Sequence, residues 1–360
     1  MRLRSVLAPL AATLTAGLAA ATCVTAAGPA TAHSGPADPP RGHACSPAVS
    51  IERFSDALDK TTYEGTFVGN FSALAVDRDG AIAALSDRSS LFTLDPKTLS
   101  PRSVVPLADE GGAALDSEGL VVDRDGTRLV SSETEPSVRR YGRDGTLLGR
   151  LPVPDALRVA PAGRATSNQT FEALTLLPGG RTLLAGMEGS LSGDTLGVVR
   201  LQTWQRQSGQ SGHVHRDFRL AAQYGYRTDT GLGLVEAAAT PDGRLLVLER
   251  GFTVGVGNTV RLYLADLRRA TDTSRIDTLT GTLTGHDGVR LVRKTLLADL
   301  ADCPSLGATA KQPQPNPLLD NIEGMAVTGT TRGALRVLLV SDDNQGATQT
   351  TRFYSLRVRP

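Results

Sequence analysis

The sequence predicts an all-β chain, and three observations carry that expectation. Five segments share one layout: a short apolar run, a turn, a second apolar run, then an acid. They read FSALAVDRDGAIAALSD (71–87), SEGLVVDRDGTRLVSSE (117–133), FEALTLLPGGRTLLAGME (171–188), VEAAATPDGRLLVLE (235–249) and IEGMAVTGTTRGALRVLLVSD (322–342). Asp-Gly or Gly-Gly between two apolar runs is a strong hairpin signal. The runs favour Leu, Val and Ala and carry neither helix caps nor a helix-length amphipathic period, so strands are expected.

Further strands follow several hairpins, at SLFTLD (90–95), SVRRYG (137–142) and VRLYLADL (260–267). The repeats start at residues 71, 117, 171, 235 and 322, so their spacing widens from 46 to 87 residues. Each interval holds about four short strands with loops, the content of a propeller blade. A twisted four-stranded sheet cannot cover its own apolar faces, so such repeats stack radially and close. The expected architecture is a single β-propeller of about six four-stranded blades, the sixth concealed in the longest interval. A pair of β-sandwiches is the competing arrangement. Closure would join the N-terminal strand to the last blade.

Residues 1–32 stand apart from the fold. Two arginines precede a run without charge from Ser5 to Ala32, which ends in Ala30-Thr31-Ala32. That is the form of a secretory signal peptide cleaved near Ala32, not of a membrane anchor. Cys23 lies within it and would be lost on cleavage. Pro and Gly crowd residues 33–41, so 33–48 reads as a flexible N-terminal segment before a domain spanning 49–360. Two cysteines then remain, Cys45 and Cys303. In an oxidising compartment the default for two cysteines is one disulfide, with free thiols or pairing to another chain as alternatives. The mature chain is expected to be secreted, unanchored and monomeric. Its formal charge of +1, with interspersed signs and one Trp, argues against a nucleic-acid partner.

The acids are the informative part. With two-residue turns, each hairpin would place two of them opposite one another at its open end: Glu118 with Glu133, Glu236 with Glu249, Glu323 with Asp342. A three-residue loop does the same for Glu172 and Glu188, and the first repeat sets Ser72 against Asp87. A four-residue turn with a bulge would shift these pairs slightly but leave both acids at that end. Like charges at cross-strand distance, about 5 Å between Cβ atoms, destabilise a sheet, so the pattern needs a partner. In a propeller the innermost strands run one way, which collects these ends into a carboxylate ring at one channel mouth. Hard cations such as Ca²⁺ would suit the ring, since they take six to eight oxygens. Arg88 and Arg250, directly after Asp87 and Glu249, could neutralise it instead. A third possibility is that each acid bonds backbone N–H groups of the neighbouring blade.

Several chemistries lack their motifs. There is no G-x-S-x-G, no P-loop, no G-x-G-x-x-G and no H-E-x-x-H. His213 and His215 lie two apart, where a polar strand edge is the simpler reading than a metal site. The two DRDG segments, 77–80 and 123–126, read as turns because the later Glu of a calcium loop is missing.

From about Gly69 to the C-terminus the chain resembles the phytase-like family of exported bacterial proteins, described as having esterase-like activity. The resemblance rests on LSDR (85–88), DSEGL (116–120), SSE (131–133), SNQTFEALT (167–175), LERGF (248–252), DNIEGMAV (320–327) and VSDDN (340–344), in order and at matching spacing. It implies a β-propeller related to alkaline phytases, which bind calcium and cleave phosphate monoesters at an acidic channel mouth. Carried over by motif, the metal ligands would be Asp87, Glu118, Glu133, Glu172, Glu188, Glu236, Glu249, Glu323 and Asp342. Arg88 and Arg250 would hold phosphate oxygens, with Glu172 and Glu323 as the catalytic acids. The expected function is hydrolysis of a small anionic substrate at a phosphoester or ester bond, with Ca²⁺ as cofactor. A propeller that only binds a ligand or partner, and a calcium-dependent lactonase, are the rival readings.

Overall fold

The computed structural model of the chain describes residues 42–207, 218–286 and 288–360. The proposed leader with Cys23, residues 33–41, and both His213 and His215 lie outside the described residues. The fold opens with β1 (Val49–Ser55) and a small hairpin of β2 (Thr61–Tyr63) and β3 (Thr66–Val68). The first blade is β4 (Phe71–Val76), β5 (Ile82–Ser86), β6 (Ser90–Leu94) and β7 (Pro101–Pro106). The second is β8 (Ser117–Val122), β9 (Arg128–Ser132), β10 (Ser137–Tyr141) and β11 (Leu147–Arg150). The third is β12 (Phe171–Leu176), β13 (Thr182–Met187), β14 (Val198–Arg206) and β15 (Phe218–Arg227). The fourth is β16 (Gly233–Ala239), β17 (Leu245–Thr253), β18 (Gly257–Asp266) and β19 (Arg293–Asp299). The fifth is β20 (Ile322–Thr331), β21 (Ala334–Ser341) and β22 (Phe353–Val358), completed by β1 as its outermost strand.

The propeller therefore has five blades among the described residues, not about six. The long interval after Gly233 holds no concealed sheet. Its surplus residues form a connection from 267 to 292 that runs along the third blade, with Thr273 N–H donating to Gln223 O (2.7 Å) and Val292 N–H to Gly225 O (2.9 Å). A second irregular stretch, 303–321, follows β19. The innermost strands β4, β8, β12, β16 and β20 touch in that order, and β20 returns to β4. No helix among the described residues is long and apolar enough to cross a membrane.

Apolar layers between neighbouring blades hold the ring. Phe71, Phe92, Val340 and Phe353 pack between the fifth and first blades, and Ala73, Leu85, Leu120 and Val130 between the first and second. Phe171, Leu184, Trp204, Tyr226 and Val247 form the larger layer across the second to fourth. Each side chain here is fully withdrawn from water, which is worth about 1.5–3 kcal/mol for a large apolar residue.

Closure takes the expected form. β1 lies antiparallel on β22, and Cys45, just ahead of β1, is bonded to Cys303, just after β19. The folded region thus begins several residues before Val49. Buried ion pairs add a second set of ties. The first DRDG aspartate, Asp77, accepts from Arg128 of the second blade, and the next, Asp123, accepts from Arg140 (2.8 Å) and from Arg206 of the third blade (2.6 Å). The DRDG segments are turns, as expected, but their first aspartate also fastens one blade to the next.

Removing one member of a buried pair leaves its partner's charge uncompensated, so Asp123→Ala is expected to lose ~3–5 kcal/mol in denaturant unfolding. Loss below ~1 kcal/mol would mean that Arg140 and Arg206 rehydrate freely. Replacing both Cys45 and Cys303 by Ser should cost a further ~2–4 kcal/mol, because it frees a closed loop in the unfolded chain; an unchanged melting temperature would show that β1–β22 pairing alone secures the ring.

Candidate functional site

The hairpins converge their acids by a route different from simple cross-strand pairing. In the first, second and fourth blades the loop has three residues, not two: Asp77 N–H bonds Ala81 O, Asp123 N–H bonds Thr127 O, and Thr240 N–H bonds Arg244 O. Glycine in the left-handed region closes each, as Gly80 (φ 84°), Gly126 (φ 82°) and Gly243 (φ 85°). The third blade, expected to have a three-residue loop, has four residues, 178–181, between Leu177 N–H and Thr182 O (2.9 Å), and the fifth blade alone has the two-residue turn, Arg332-Gly333. Register irregularities then occur at Ser72, between Ser117 and Leu120, at Glu172, at Val235 and at Glu323. A bulge adds a residue to one strand and re-aims its side chain.

As a result the paired acids do not face each other. Asp87, Glu133, Glu188 and Asp342 donate their N–H groups to Asn70, Asp116, Thr170 and Asn321, each two residues before the first acid or serine of its repeat. The extra residue turns Glu118, Glu172 and Glu323 toward the channel axis. The small residue behind each, Gly119, Ala173 and Gly324, is a requirement of crowding. A Cβ on Gly119 would lie 2.5 Å from Leu174 Cβ of the neighbouring inner strand.

The outcome is a basin of about 690 Å³ at one channel mouth. Ser72, Asp87, Asp116, Glu118, Glu133, Glu172, Glu188, Glu323 and Asp342 line it, with Arg88, Arg250, Asn168, Asn321 and Asn344 among the rest. Two carboxylate triads stand out, Asp116–Glu118–Glu133 and Glu133–Glu172–Glu188. In each, one oxygen per residue lies within 4.8 Å of the others. Glu133 belongs to both and accepts the Thr170 N–H at 3.1 Å.

Arg250 crosses the basin from β17. Its Nη2 donates to Glu323 Oε1 at 2.8 Å, and Asn321 Nδ2 donates to the same oxygen at 3.0 Å. Its buried Nε has no partner among the described residues. Arg88 is mostly exposed, with its Nε 3.6 Å from Asp87 Oδ1. Asp342 accepts the Asn344 N–H at 2.8 Å.

Two of the sequence-expected acids stand elsewhere. In the fourth blade the bulge falls one residue early, at Val235, so Glu236 is paired with Leu248 instead of being displaced. Its carboxylate turns down the channel, accepts the Ala237 N–H (2.8 Å) and lies against the Leu174 and Met325 N–H groups of two other inner strands. Glu249 is enclosed between blades, bonded to Tyr226 Oη (2.7 Å), to the Asp229 N–H (2.7 Å) and to Lys294. Neither lines the basin.

The basin also contains residues that sequence reasoning missed: Asp116, Asn168, Asn321 and Asn344. A signal existed for some. In the first, second, third and fifth repeats the position two before the first acid or serine is short and polar, as Asn70, Asp116, Thr170 and Asn321.

Burial and mutual repulsion hold these carboxyls above their ordinary range. Burial, then Glu188, pushes Glu133 up to about 7. Burial raises Asp87 to about 6, with Asp116 adding to it against the pull of Arg88. Burial lifts Glu323 to about 6 although Arg250 opposes the rise. Burial followed by neighbouring carboxylates raises Glu118, Glu172 and Asp342 well above the usual range. Such a donor set contains only hard oxygen, from carboxylates with amides beside them, which suits Ca²⁺ and not a thiolate- or imidazole-seeking metal.

Comparison with known proteins adds the following. The family model described as phytase-like, esterase-like activity of phytase, matches residues 66–345. A protein of Arthroderma benhamiae described as an uncharacterized secreted protein is 29% identical over 106 residues, covering 22% of this chain and 21% of that one. The chain thus spans about a fifth of that relative's length. Among solved structures, a putative gluconolactonase is 15% identical over 80% of this chain and 74% of its own, with a TM-score of 0.39. A gluconolactonase of Xanthomonas campestris is 14% identical over 82% and 73%, also at 0.39. An aldose sugar dehydrogenase of Streptomyces coelicolor is 14% identical over 88% and 100%, again at 0.39. At these scores the structural likenesses carry no argument about the site.

Unfolded carboxyls titrate near 4, so from there to about pH 7 the folded, metal-free basin binds more protons than the unfolded chain does. Its stabilising contribution is complete below pH 4 and is lost as pH rises through 6 and 7. Thermal melts in chelator should therefore fall over that window, and Glu133→Gln should flatten the fall. A profile flat with pH in the unmodified protein would contradict the crowding.

Proposed function

The chain belongs to the phytase-like family, and from that premise we propose that it is an exported hydrolase of a small anionic ester, a phosphate monoester first of all, acting in the carboxylate basin with calcium. The observation that carries this reading is the pairing of crowded carboxylates with one arginine whose buried Nε has no protein partner. The disulfide and the leader-like N-terminus support export.

The two triads differ in what surrounds them. Arg250 acts on Glu188 and Glu323 and opposes their rise, whereas the groups raising Glu118 are burial, Glu323, Glu133 and Asp116, with no guanidinium among them. Asp116, Glu118 and Glu133 are therefore the residues that would hold the cation. Calcium bound there would neutralise charge on a phosphoryl group and make a nearby water more acidic. Arg250 would orient a phosphate oxygen through its free Nε. Glu323, raised only to about 6, is largely ionised at neutral pH and fits the role of base toward a water. Glu172, held well above the usual carboxylate range by burial and then by Glu118, fits the role of acid toward the leaving oxygen. Arg88, exposed at the rim, would meet the substrate on entry.

With a chromogenic phosphate monoester, calcium should support turnover and EDTA should abolish it. Arg250→Ala is expected to lower kcat/KM about 100-fold, the usual cost of removing one donor to developing charge. Turnover indifferent to EDTA would sink the mechanism. Calcium binding without turnover of any phosphate, ester or lactone would leave a binding propeller, and turnover of lactones alone would make it a lactonase.

A further inference from the structure

The basin has a neighbouring groove of mixed lining, in which Leu196, Leu232 and Phe252 supply apolar side chains. Between the third and fourth blades runs a groove of about 540 Å³, bounded by Leu196, Leu232 and Phe252. It is continuous with the basin, since Glu188, Arg250 and Phe252 line both. Phe252 is also the only hydrophobic side chain among the residues lining the basin. A substrate with an apolar half therefore has one wall to follow out of the carboxylates, and that wall leads into the groove.

Two features mark the groove as a receptor for apolar surface. Leu196 is 91% exposed and Phe252 51%, and both border the same groove. Polar side chains, Gln169, Arg227 and Asp229 among them, share the lining, and glycines hold part of the wall close. A Cβ at Gly251 would lie 2.5 Å from Gly231 O, and one at Gly233 would lie 2.7 Å from Glu188 Cγ. Any side chain at Gly233 would thus displace a basin carboxylate, which ties the groove's shape to that of the basin.

We infer that the groove lined by Leu196, Leu232 and Phe252 is a subsite for the alkyl or aryl group of the ester whose anionic end sits in the basin. The inference rests on the hydrolase reading above and gives it a substrate class: monoesters of an apolar alcohol or phenol, in preference to highly charged polyphosphate esters. The anionic end meets Arg250, and the apolar end leaves water against Phe252 and Leu196.

The test compares phenylphosphonate with methylphosphonate, two non-hydrolysable probes that differ only in the apolar group, by calorimetry on the calcium-loaded protein. Burying the ring should make phenylphosphonate bind about tenfold tighter, as expected for removing roughly half an aromatic side chain from water. Leu196→Ala should reduce that preference and Leu196→Asp abolish it, while methylphosphonate binding stays unchanged; an exposed position makes both variants safe to fold, and a melting curve verifies that. Phe252→Ala should likewise erase the preference. Equal binding of the two probes, or a preference that survives in all three variants, would overturn the groove assignment and leave the basin reading standing. Binding of neither probe would overturn both.

Discussion

Strand β1 pairs with β22, so the first strand of the domain is the last strand of its fifth blade. Five sheets that cannot cover their own faces become a closed ring through that pairing, and every apolar layer between blades depends on it. The basin depends on it too. Asp87 comes from the first blade, Asp116 to Glu133 from the second, Glu172 and Glu188 from the third, Arg250 from the fourth, and Glu323 and Asp342 from the fifth. With the ring open, no two neighbouring blades would bring together more than part of this set. The Cys45–Cys303 bond secures the closing strand from the side of the fourth blade.

Closure alone would gather the acids at one mouth without making them converge. The displaced residue in each inner strand does that, and it does so unevenly. Glu118, Glu172 and Glu323 turn inward where the bulge coincides with the acid, while Glu236 sits one residue past its bulge and drops into the channel. The fourth repeat, whose bulge falls on Val235, contributes Arg250, the guanidinium buried in the basin. The ring of negative charge is thereby interrupted by a buried cation in the fourth blade, in addition to Ser72 and the exposed Arg88 of the first. This asymmetry gives the site a cation-poor half, around Glu118, and a half already served by arginine. It also leaves the arginine beside the groove of Leu196, Leu232 and Phe252, so that charge and apolar side chains meet along one wall.

The acids contribute to stability in a sense opposite to the ion pairs below them. Asp77 and Asp123 are held below their ordinary range, where bonds from arginines outweigh burial, and fasten blades together. The basin carboxyls are held above it by burial and by each other, so ionising them works against the fold. Placing the first kind at the hairpin turns and the second at the open ends separates an acid-lined face from a fastening face on one set of strands.

Much of this was legible in the chain itself. Five hairpin repeats with an acid at each open end specify strands, a radial stack and a carboxylate-lined mouth, because hydrophobic period and turn residues are local properties. The disulfide was the default for the two cysteines beyond residue 32, with free thiols or another chain as alternatives, and the phytase-like motifs matched in order. What only the tertiary structure decided was register, blade count and destination. A three-residue loop and a bulge each shift pairing by one residue, and that shift separates acids that sequence spacing sets face to face. Whether a long interval conceals a blade or a connection depends on what its residues pack against. Glu236 and Glu249 carry the same local pattern as their counterparts, and only the neighbours they meet, backbone N–H groups for one and Lys294 with Tyr226 for the other, separate them from the site.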